Sequence, residues 1–477
     1  MQCKRRLFFA FVALFGGTTL LLQPFDRRLS HYSHGIQSNN VLNLSISATS
    51  RLKPVNWSVL TNQQNEVSKY KTQHVELANI RDVVQKRIDQ IQNPQNCSQA
   101  RKLLCKIEPG IAGFGCLLHR IGVCFLLAIG SNRTLVVNMT MVTYPSIKSM
   151  FEAYLPLSET CSEWSEDEYE AAQWIHGNRE RETTAKFRVV KLFRNGGLRP
   201  FTPFAPNSYP TSLKDKLQPL HSEPQIWWFG QIMMYLTRPQ PKLTQALNKY
   251  KAELGFSHPI VGVHIRRTDK LKGEADFHSL EEYMIHVKKW YDNYDDFNGG
   301  NVTRRVFLAT DDVTIHKEAL DKYPKFSFSW IANNSYFAQK QRRTSDEGFW
   351  GIVYDVALLS QCDYVVCTFT SNIGRLVHEV MVAESNNPLR YATSIDVEHF
   401  SVGEIRMLRE VIEDYYPDNP KELELRVGDI IENVRCKRIC LGKNRRTKKR
   451  GSYPKEKVRT LPPTALYAGM QNIFNRS

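Results

Sequence analysis

The segment Val261-Gly262-Val263-His264-Ile265-Arg266-Arg267-Thr268-Asp269-Lys270 runs from a β-branched apolar stretch straight into two guanidinium groups. Adjacent guanidiniums present forked donors that match the oxygens of a diphosphate. The first chemistry the chain suggests is therefore capture of a nucleoside diphosphate by Arg266 and Arg267. The competing use is an internal salt bridge to Asp269 or Asp311. Ser371, where a helical run opens, could turn backbone N–H groups on the same anion. Asp355 stands inside the apolar helical run Gly351–Leu359, where a carboxylate needs partners. Those partners are the N–H edge of a guanine on one reading and a helix-to-helix ion pair on the other. No Asp-x-Asp triplet, an arrangement that often holds a divalent cation against a diphosphate, occurs anywhere in the chain. Arg266 is thus expected to neutralise the leaving group with neither a metal nor another cofactor. Taking a proton from an acceptor hydroxyl requires a positioned base, and Glu274 is the candidate, with Lys270 beside it.

These residues need a scaffold, and the region from 258 to 390 supplies one. Strands are predicted at Ile260–His264, Val306–Ala309, Phe326–Trp330 and Tyr364–Cys367, and helices at Ser279–Tyr291, Thr314–Lys322, Gly348–Ser360 and Asn372–Ala383. Such alternation gives an α/β fold with a Rossmann-type parallel sheet, and ligands bind such sheets beyond the carboxyl ends of the strands. The polar clusters fall there: His264 to Lys270 after the first strand, Thr310, Asp311 and Asp312 after the second, Thr368, Thr370, Ser371 and Asn372 after the last. We assign residues 246–400 to this nucleotide-binding part. Residues 97–245 form an upstream α/β part. In it Gly110, Gly113 and Gly115 precede the helical run Cys116–Ile129, the strand Thr134–Val137 follows, and Ile226-Trp227-Trp228-Phe229 opens a core helix. A glycine loop before a helix can cradle phosphate, although such loops are more often plain turns.

The flanks set the context. The chain has 477 residues, 42% hydrophobic and 23% charged, which excludes a disordered chain and a collagen, and its single long apolar run excludes a polytopic membrane protein. Its formal charge of +16 is concentrated between Arg435 and Arg450, with nine Lys or Arg and no acid. A short tail, residues 1–6, with Lys4-Arg5-Arg6, precedes the apolar segment 7–22, which we read as a type II signal-anchor helix; a cleaved signal peptide is the alternative. Residues 23–58 read as a flexible stem. Residues 59–96 carry a heptad-like pattern that suits either a coiled coil dimerising the stem or a helix packed on its own domain. Eight Asn-x-Ser/Thr sequons and ten cysteines, five of them at Cys97, Cys105, Cys116, Cys124 and Cys161, fit an oxidising lumen. Asn132 and Asn138, read as lying within strands, are expected to stay unglycosylated. In a lumen nucleic acid is not an expected partner. From Val411, the blocks Val411–Tyr415, Lys421–Leu425 and Gly428–Ile431, with Gly451–Pro454 and Val458, resemble an SH3 domain over residues 410–460, ahead of a tail, residues 461–477. Arg438 stands about where those domains carry a tryptophan.

The arginine segment, together with Phe277-His278, Glu281-Glu282-Tyr283-Met284, Leu308-Ala309-Thr310-Asp311-Asp312, Cys367-Thr368-Phe369-Thr370-Ser371, Trp227-Trp228 and Arg238-Pro239-Gln240-Pro241, resembles the alpha-1,6-fucosyltransferases. These are inverting, metal-independent enzymes, variants of the GT-B-like architecture, that move fucose from GDP-fucose to the innermost GlcNAc of N-glycans. The resemblance covers the chain from about residue 97 to the SH3-like end. It implies a Golgi membrane location, GDP-fucose as donor substrate and an N-glycan on a glycoprotein as acceptor. It implies Arg266 on the β-phosphate, Ser371 on phosphate, and His264, Asp355 and Tyr144 along the guanosine, Tyr144 by approximate offset. Arg267, Asp269, Lys270, Tyr283, Asp311 and Asp312 match positions the family needs, and Glu274 matches its base. It also implies disulfides Cys97–Cys161 and Cys105–Cys124. The family cysteines that would partner Cys116, in the glycine loop, and Cys367, at Gly374, are absent here, so both thiols are expected to be free. Rival readings are a GDP-fucose transferase with a protein hydroxyl or chitin oligosaccharide as acceptor, and a non-catalytic lumenal glycan-binding protein.

Overall fold

The computed structural model describes residues 64–107, 113–138, 147–163, 189–192, 208–271, 275–298, 300, 302–384, 391–399, 408–436 and 440–474. The expected anchor and stem lie outside these residues. Among the described residues no helix is long and apolar enough to cross a membrane.

In chain order, α1 is Gln64–Gln92, β1 Lys102–Lys106, α2 Phe114–Gly130, β2 Thr134–Asn138, β3 Val189–Leu192, α3 Pro224–Leu236 and α4 Pro241–Glu253. Then follow β4 Ile260–Ile265, α5 Leu280–Asn298, β5 Arg305–Thr310, α6 Thr314–Lys322, β6 Ser327–Ser329, α7 Asp346–Gln361, β7 Tyr364–Cys367, α8 Asn372–Glu384 and β8 Tyr391–Ser394. The C-terminal sheet is built from β9 Leu408–Val411, β10 Ile430–Cys436, β11 Cys440–Asn444, β12 Arg450–Tyr453 and β13 Val458–Leu461.

Among the described residues the strands form three parallel sheets, one of them only the short pair Tyr209–Pro210 and Thr464–Ala465, and one antiparallel sheet. The central sheet has the order β6-β5-β4-β7-β8, every pair parallel. All six residues of β4 are buried, as a strand covered by helices on both faces requires. Its topology reverses between β4 and β7, the first and fourth strands of the unit. The crevice at their carboxyl ends is where an open α/β sheet binds ligands. The second parallel sheet has the order β2-β1-β3. Predicted and observed elements of the central sheet agree within a few residues. Strands β1, β3 and β8 were not anticipated; β8 (Tyr-Ala-Thr-Ser) is a four-residue edge strand with little apolar signal.

Helix α1 packs on its own domain. Leu77, Ile80, Val84, Ile88 and Ile91 are buried in the core shared with α2 and α3, so this face is not available to a second copy. The Gln92 amide donates to Leu135 O (3.2 Å) and accepts from Leu135 N (2.8 Å), covering the edge of β2. Helices α3 and α8 cross closely. A Cβ on Gly230 would lie 2.2 Å from the Glu379 carbonyl oxygen, so only glycine permits this approach.

The disulfides Cys97–Cys161 and Cys105–Cys124 are present, and Cys362 and Cys367 are free and buried. Cys116 is disulfide-bonded, which corrects the expectation of a free thiol. The family position in the glycine loop was the wrong guide to its bonding. Asn132 sits in an exposed turn at φ 51°, not within a strand. The C-terminal sheet has the antiparallel order β12-β11-β10-β9-β13 around a small core of Val411, Leu423, Leu425, Ile431, Cys440, Tyr453 and Val458. Arg438 lies outside the described residues.

Candidate active site

Four strand ends deliver the polar groups. Arg266 follows β4, and its guanidinium meets the carboxylates of Asp269 and Asp311 and donates to Thr268 Oγ1 (3.0 Å). Asp311, buried at the end of β5, also accepts from the Arg267 backbone N–H at 2.8 Å and from the Thr268 hydroxyl. These bonds hold Thr268 at φ 34°, a left-handed conformation that a β-branched residue rarely adopts. Backbone strain of this kind collects at functional sites. Asp269 bonds Arg343 as well, at 3.1 Å. Burial alone would push the Asp269 carboxyl up; the Arg266 and Arg343 guanidiniums outweigh it and hold it below the ordinary range.

The two neighbouring arginines part company. Arg267 donates to the His278 carbonyl (2.9 Å from Nη2), lies 3.5 Å from Asp312 and stacks over the Phe277 ring at 4.6 Å. It fixes the loop leading into α5, while Arg266 has Arg343 across Asp269. Asp312 accepts from Thr314 N at 3.0 Å and from the Thr314 hydroxyl at 2.6 Å, closing the turn ahead of α6. Tyr283 is buried in the apolar cluster between α5 and the sheet. Lys270 lies on the turn Thr268–Leu271, its side chain not described; Glu274 and Tyr144 fall outside the described residues.

His264, the penultimate residue of β4, is buried with Nδ1 lacking a hydrogen-bond partner. Burial, reinforced by the charge of Arg266, lowers its pKa to about 3, so the ring is neutral near pH 7. A buried, unsatisfied ring nitrogen in a ligand crevice calls for a partner. Asp355 is also buried. One oxygen accepts from Asn334 Nδ2 at 2.8 Å, and burial pushes its pKa up to about 7 despite that bond. Among the described residues Asp355 forms no helix-to-helix ion pair; its partner there is the Asn334 amide.

The loop from β7 into α8 forms the opposite wall. Asp396, just beyond β8, accepts from Phe369 N (2.8 Å), Thr370 N (3.2 Å), Ser394 Oγ (2.6 Å) and Val397 N (2.6 Å). Ser371 is buried; its hydroxyl accepts from Ile373 N (3.3 Å) and caps the start of α8. The first turn of α2 abuts the same place. A Cβ on Gly115 would lie 3.0 Å from Asn372 Cβ, so two helix N-termini, each carrying partial positive charge, meet beside the crevice. Gly374 is equally constrained: its Cβ would lie 2.4 Å from the Thr368 carbonyl and 3.1 Å from Cys367 Sγ. Sequence reasoning missed Arg343, Asn334, Thr268 and Asp396. Reading the short strand β8 would have placed Asp396 at a carboxyl end; Arg343 lies in a charged run with no periodic signal.

A cationic side chain held by carboxylates, a neutral imidazole, a carboxyl group balanced near neutrality and paired helix N-termini can together hold a nucleoside diphosphate. The family model for the N- and catalytic domains of alpha-(1,6)-fucosyltransferase matches residues 28–397. The alpha-(1,6)-fucosyltransferase of Drosophila melanogaster is 35% identical over 402 residues, 83% of this chain and 63% of that protein. That of Caenorhabditis elegans is 32% identical over 382 residues, 78% of this chain and 66% of its own length. The chain thus spans under two thirds of the length of these relatives. The NodZ alpha-1,6-fucosyltransferase soaked with GDP-fucose aligns at 12% identity over 59% of this chain and 92% of its own, with a TM-score of 0.33.

Proposed function

The chain belongs to the alpha-(1,6)-fucosyltransferase family, and from that premise we propose that it transfers L-fucose from GDP-fucose to O6 of the innermost GlcNAc of N-glycans. The observation that carries the reading is the Arg266–Asp269–Asp311 cluster at the β4/β7 switch point, next to the unsatisfied ring of His264. Arg266 and the α8 N-terminus at Ser371 take the diphosphate, and Asp355 and His264 take the guanine. The acceptor O6 attacks C1 of fucose as Glu274 removes its proton; the C1–O bond to the β-phosphate breaks, GDP leaves and the anomeric centre inverts. Arg266 stabilises the developing charge, so the reaction needs no metal. The two larger parallel sheets correspond to a GT-B-like variant, and the C-terminal antiparallel sheet to an SH3-like domain. The same reading places the protein as a type II, single-pass Golgi enzyme facing the lumen.

Incubating the protein with GDP-fucose and a GlcNAc-terminated biantennary glycopeptide, in EDTA, tests the proposal by mass spectrometry. Fucose on the inner GlcNAc is the expected product. Transfer only to chitin oligomers or to a folded protein domain would replace the acceptor assignment, and glycan binding without transfer would refute the activity.

A further inference from the structure

We propose that the β11–β12 hairpin of the C-terminal sheet is a binding site for a linear, sulfated or phosphorylated polysaccharide. The hairpin belongs to a different sheet from the strand ends that carry Arg266. Its turn runs Asn444-Arg445-Arg446-Thr447-Lys448-Lys449-Arg450, and Arg445, Arg446, Lys448, Lys449 and Arg450 are exposed. Two of the cations are accounted for internally. Arg446 holds Asp429 at 2.6 Å, and Arg445 holds Glu432 at 3.1 Å. Lys443, Lys448, Lys449 and Arg450 have no ion-pair partner among the described residues.

The arrangement is rigid and carries an unfavourable juxtaposition. Asn444 is fully buried. Its side chain donates to Asp429 (2.8 Å) and accepts from Arg446 N (2.8 Å), while its backbone N–H bonds Lys449 O (3.0 Å). Lys443 stands directly opposite Arg450 in the strand register, and like charges so placed repel. The carboxylate across from Lys443 on its other side, Glu432, is the one bonded by Arg445. Lys448 sits at φ 61°, a backbone conformation that favours glycine or asparagine. A long cationic side chain is therefore held out on a strained, pre-ordered turn beside a like-charged pair. A polyanion relieves this repulsion without any rearrangement of the turn.

The choice among polyanions follows from what surrounds the charges. The edge strand β12 is already covered, because Leu423 N donates to Ser452 O (2.8 Å) and Ser452 N to Lys421 O (3.1 Å). An acidic peptide therefore cannot add there as a further strand. No aromatic side chain lies within the turn, and Tyr453 beside it is buried, so the stacking platform that single-stranded nucleic acids use is missing. What remains is recognition by spaced charge, the property of runs that bind heparin-like chains.

Fluorescence anisotropy of a labelled heparin oligosaccharide against the full chain, repeated over a salt series, tests the proposal. We expect saturable binding that weakens steeply with salt. Lys443→Gln/Lys448→Gln/Lys449→Gln/Arg450→Gln should weaken it by at least about tenfold and flatten the dependence of log Kd on log salt. Lys448→Gly removes one charge at a position where glycine relieves the strain, so it must also weaken binding while leaving the thermal melt intact. A phosphorylated polysaccharide arm separates sulfate from phosphate as the preferred group. Equal binding of wild type and Lys448→Gly, equal binding of a desulfated oligosaccharide, or tighter binding of single-stranded DNA would each overturn the assignment.

Discussion

Replacing Asp355 by asparagine should make the free protein more stable while weakening its hold on nucleotide. The carboxyl is buried and its pKa is raised from an ordinary 3.8 to about 7 by desolvation, with the Asn334 bond working against the rise. Between those values the unfolded chain is ionised at this position and the folded one still holds its proton. Stability therefore falls as pH rises through that window and is lowest above about 7. At about 1.4 kcal/mol for each factor of ten in proton affinity, the gap amounts to about 4 kcal/mol as an upper bound. An asparagine oxygen can keep the 2.8 Å bond from Asn334 and carries no charge to desolvate. Urea melts at pH 8 should show the variant more stable by up to that amount, and the advantage should disappear near pH 4. GDP binding should move the other way. A carboxylate accepts both the N1–H and the N2–H of guanine, whereas an amide accepts only one, a loss of about 1.5–3 kcal/mol, or ten- to a hundredfold and more in affinity. For the wild type, GDP affinity should fall by about tenfold per pH unit below about 7, because binding must expel the proton. A variant that is less stable than wild type at pH 8, or that binds GDP equally well, would refute the reasoning.

Asp396 and Gly230 are tested through their contacts in the structure, and Glu274 through the role that the proposed function gives it. Asp396→Asn removes one of the two oxygens that the part-buried N–H and O–H donors of the β7–α8 loop share, a cost of about 1–3 kcal/mol; steady-state kinetics should show the donor KM raised about tenfold with kcat less affected. Gly230→Ala forces a methyl against the Glu379 carbonyl and should lower stability by about 1–3 kcal/mol in denaturant melts. Glu274→Gln should preserve GDP binding in calorimetry and lower transfer by a factor on the order of 100 to 10,000; collapse of GDP affinity instead would move Glu274 to the donor site.

The centre of the sheet was legible because β4, β5 and β7 are apolar and almost wholly buried, so each run stood out between amphipathic helices. Helix Thr314–Lys322 and strand Tyr364–Cys367 emerge with the predicted bounds. The edge strand Tyr391–Ser394 was hidden because it buries little and so carries no apolar run. The site was legible as a set of strand-end residues, but their pairing was not. Adjacency in sequence suggested that Arg266 and Arg267 act as a fork, yet consecutive side chains beyond a strand point to different sides. Arg267 is taken up by the His278 carbonyl and Asp312, and Arg343, 77 positions beyond Arg266 in the numbering, shares Asp269 with it. Such long-range partners leave no local spacing to read. The heptad pattern of α1 was equally ambiguous, since a helix face suited to a partner helix is also suited to the chain's own core.

Isothermal calorimetry of GDP with the purified protein in EDTA, wild type beside Arg266→Ala, addresses the donor site most directly. The guanidinium at the end of β4 should supply the countercharge, so wild type should bind under chelation and the variant should lose at least about a hundredfold in affinity. Binding that appears only when manganese or magnesium is restored, or an Arg266→Ala protein that holds GDP as tightly as wild type, would contradict it.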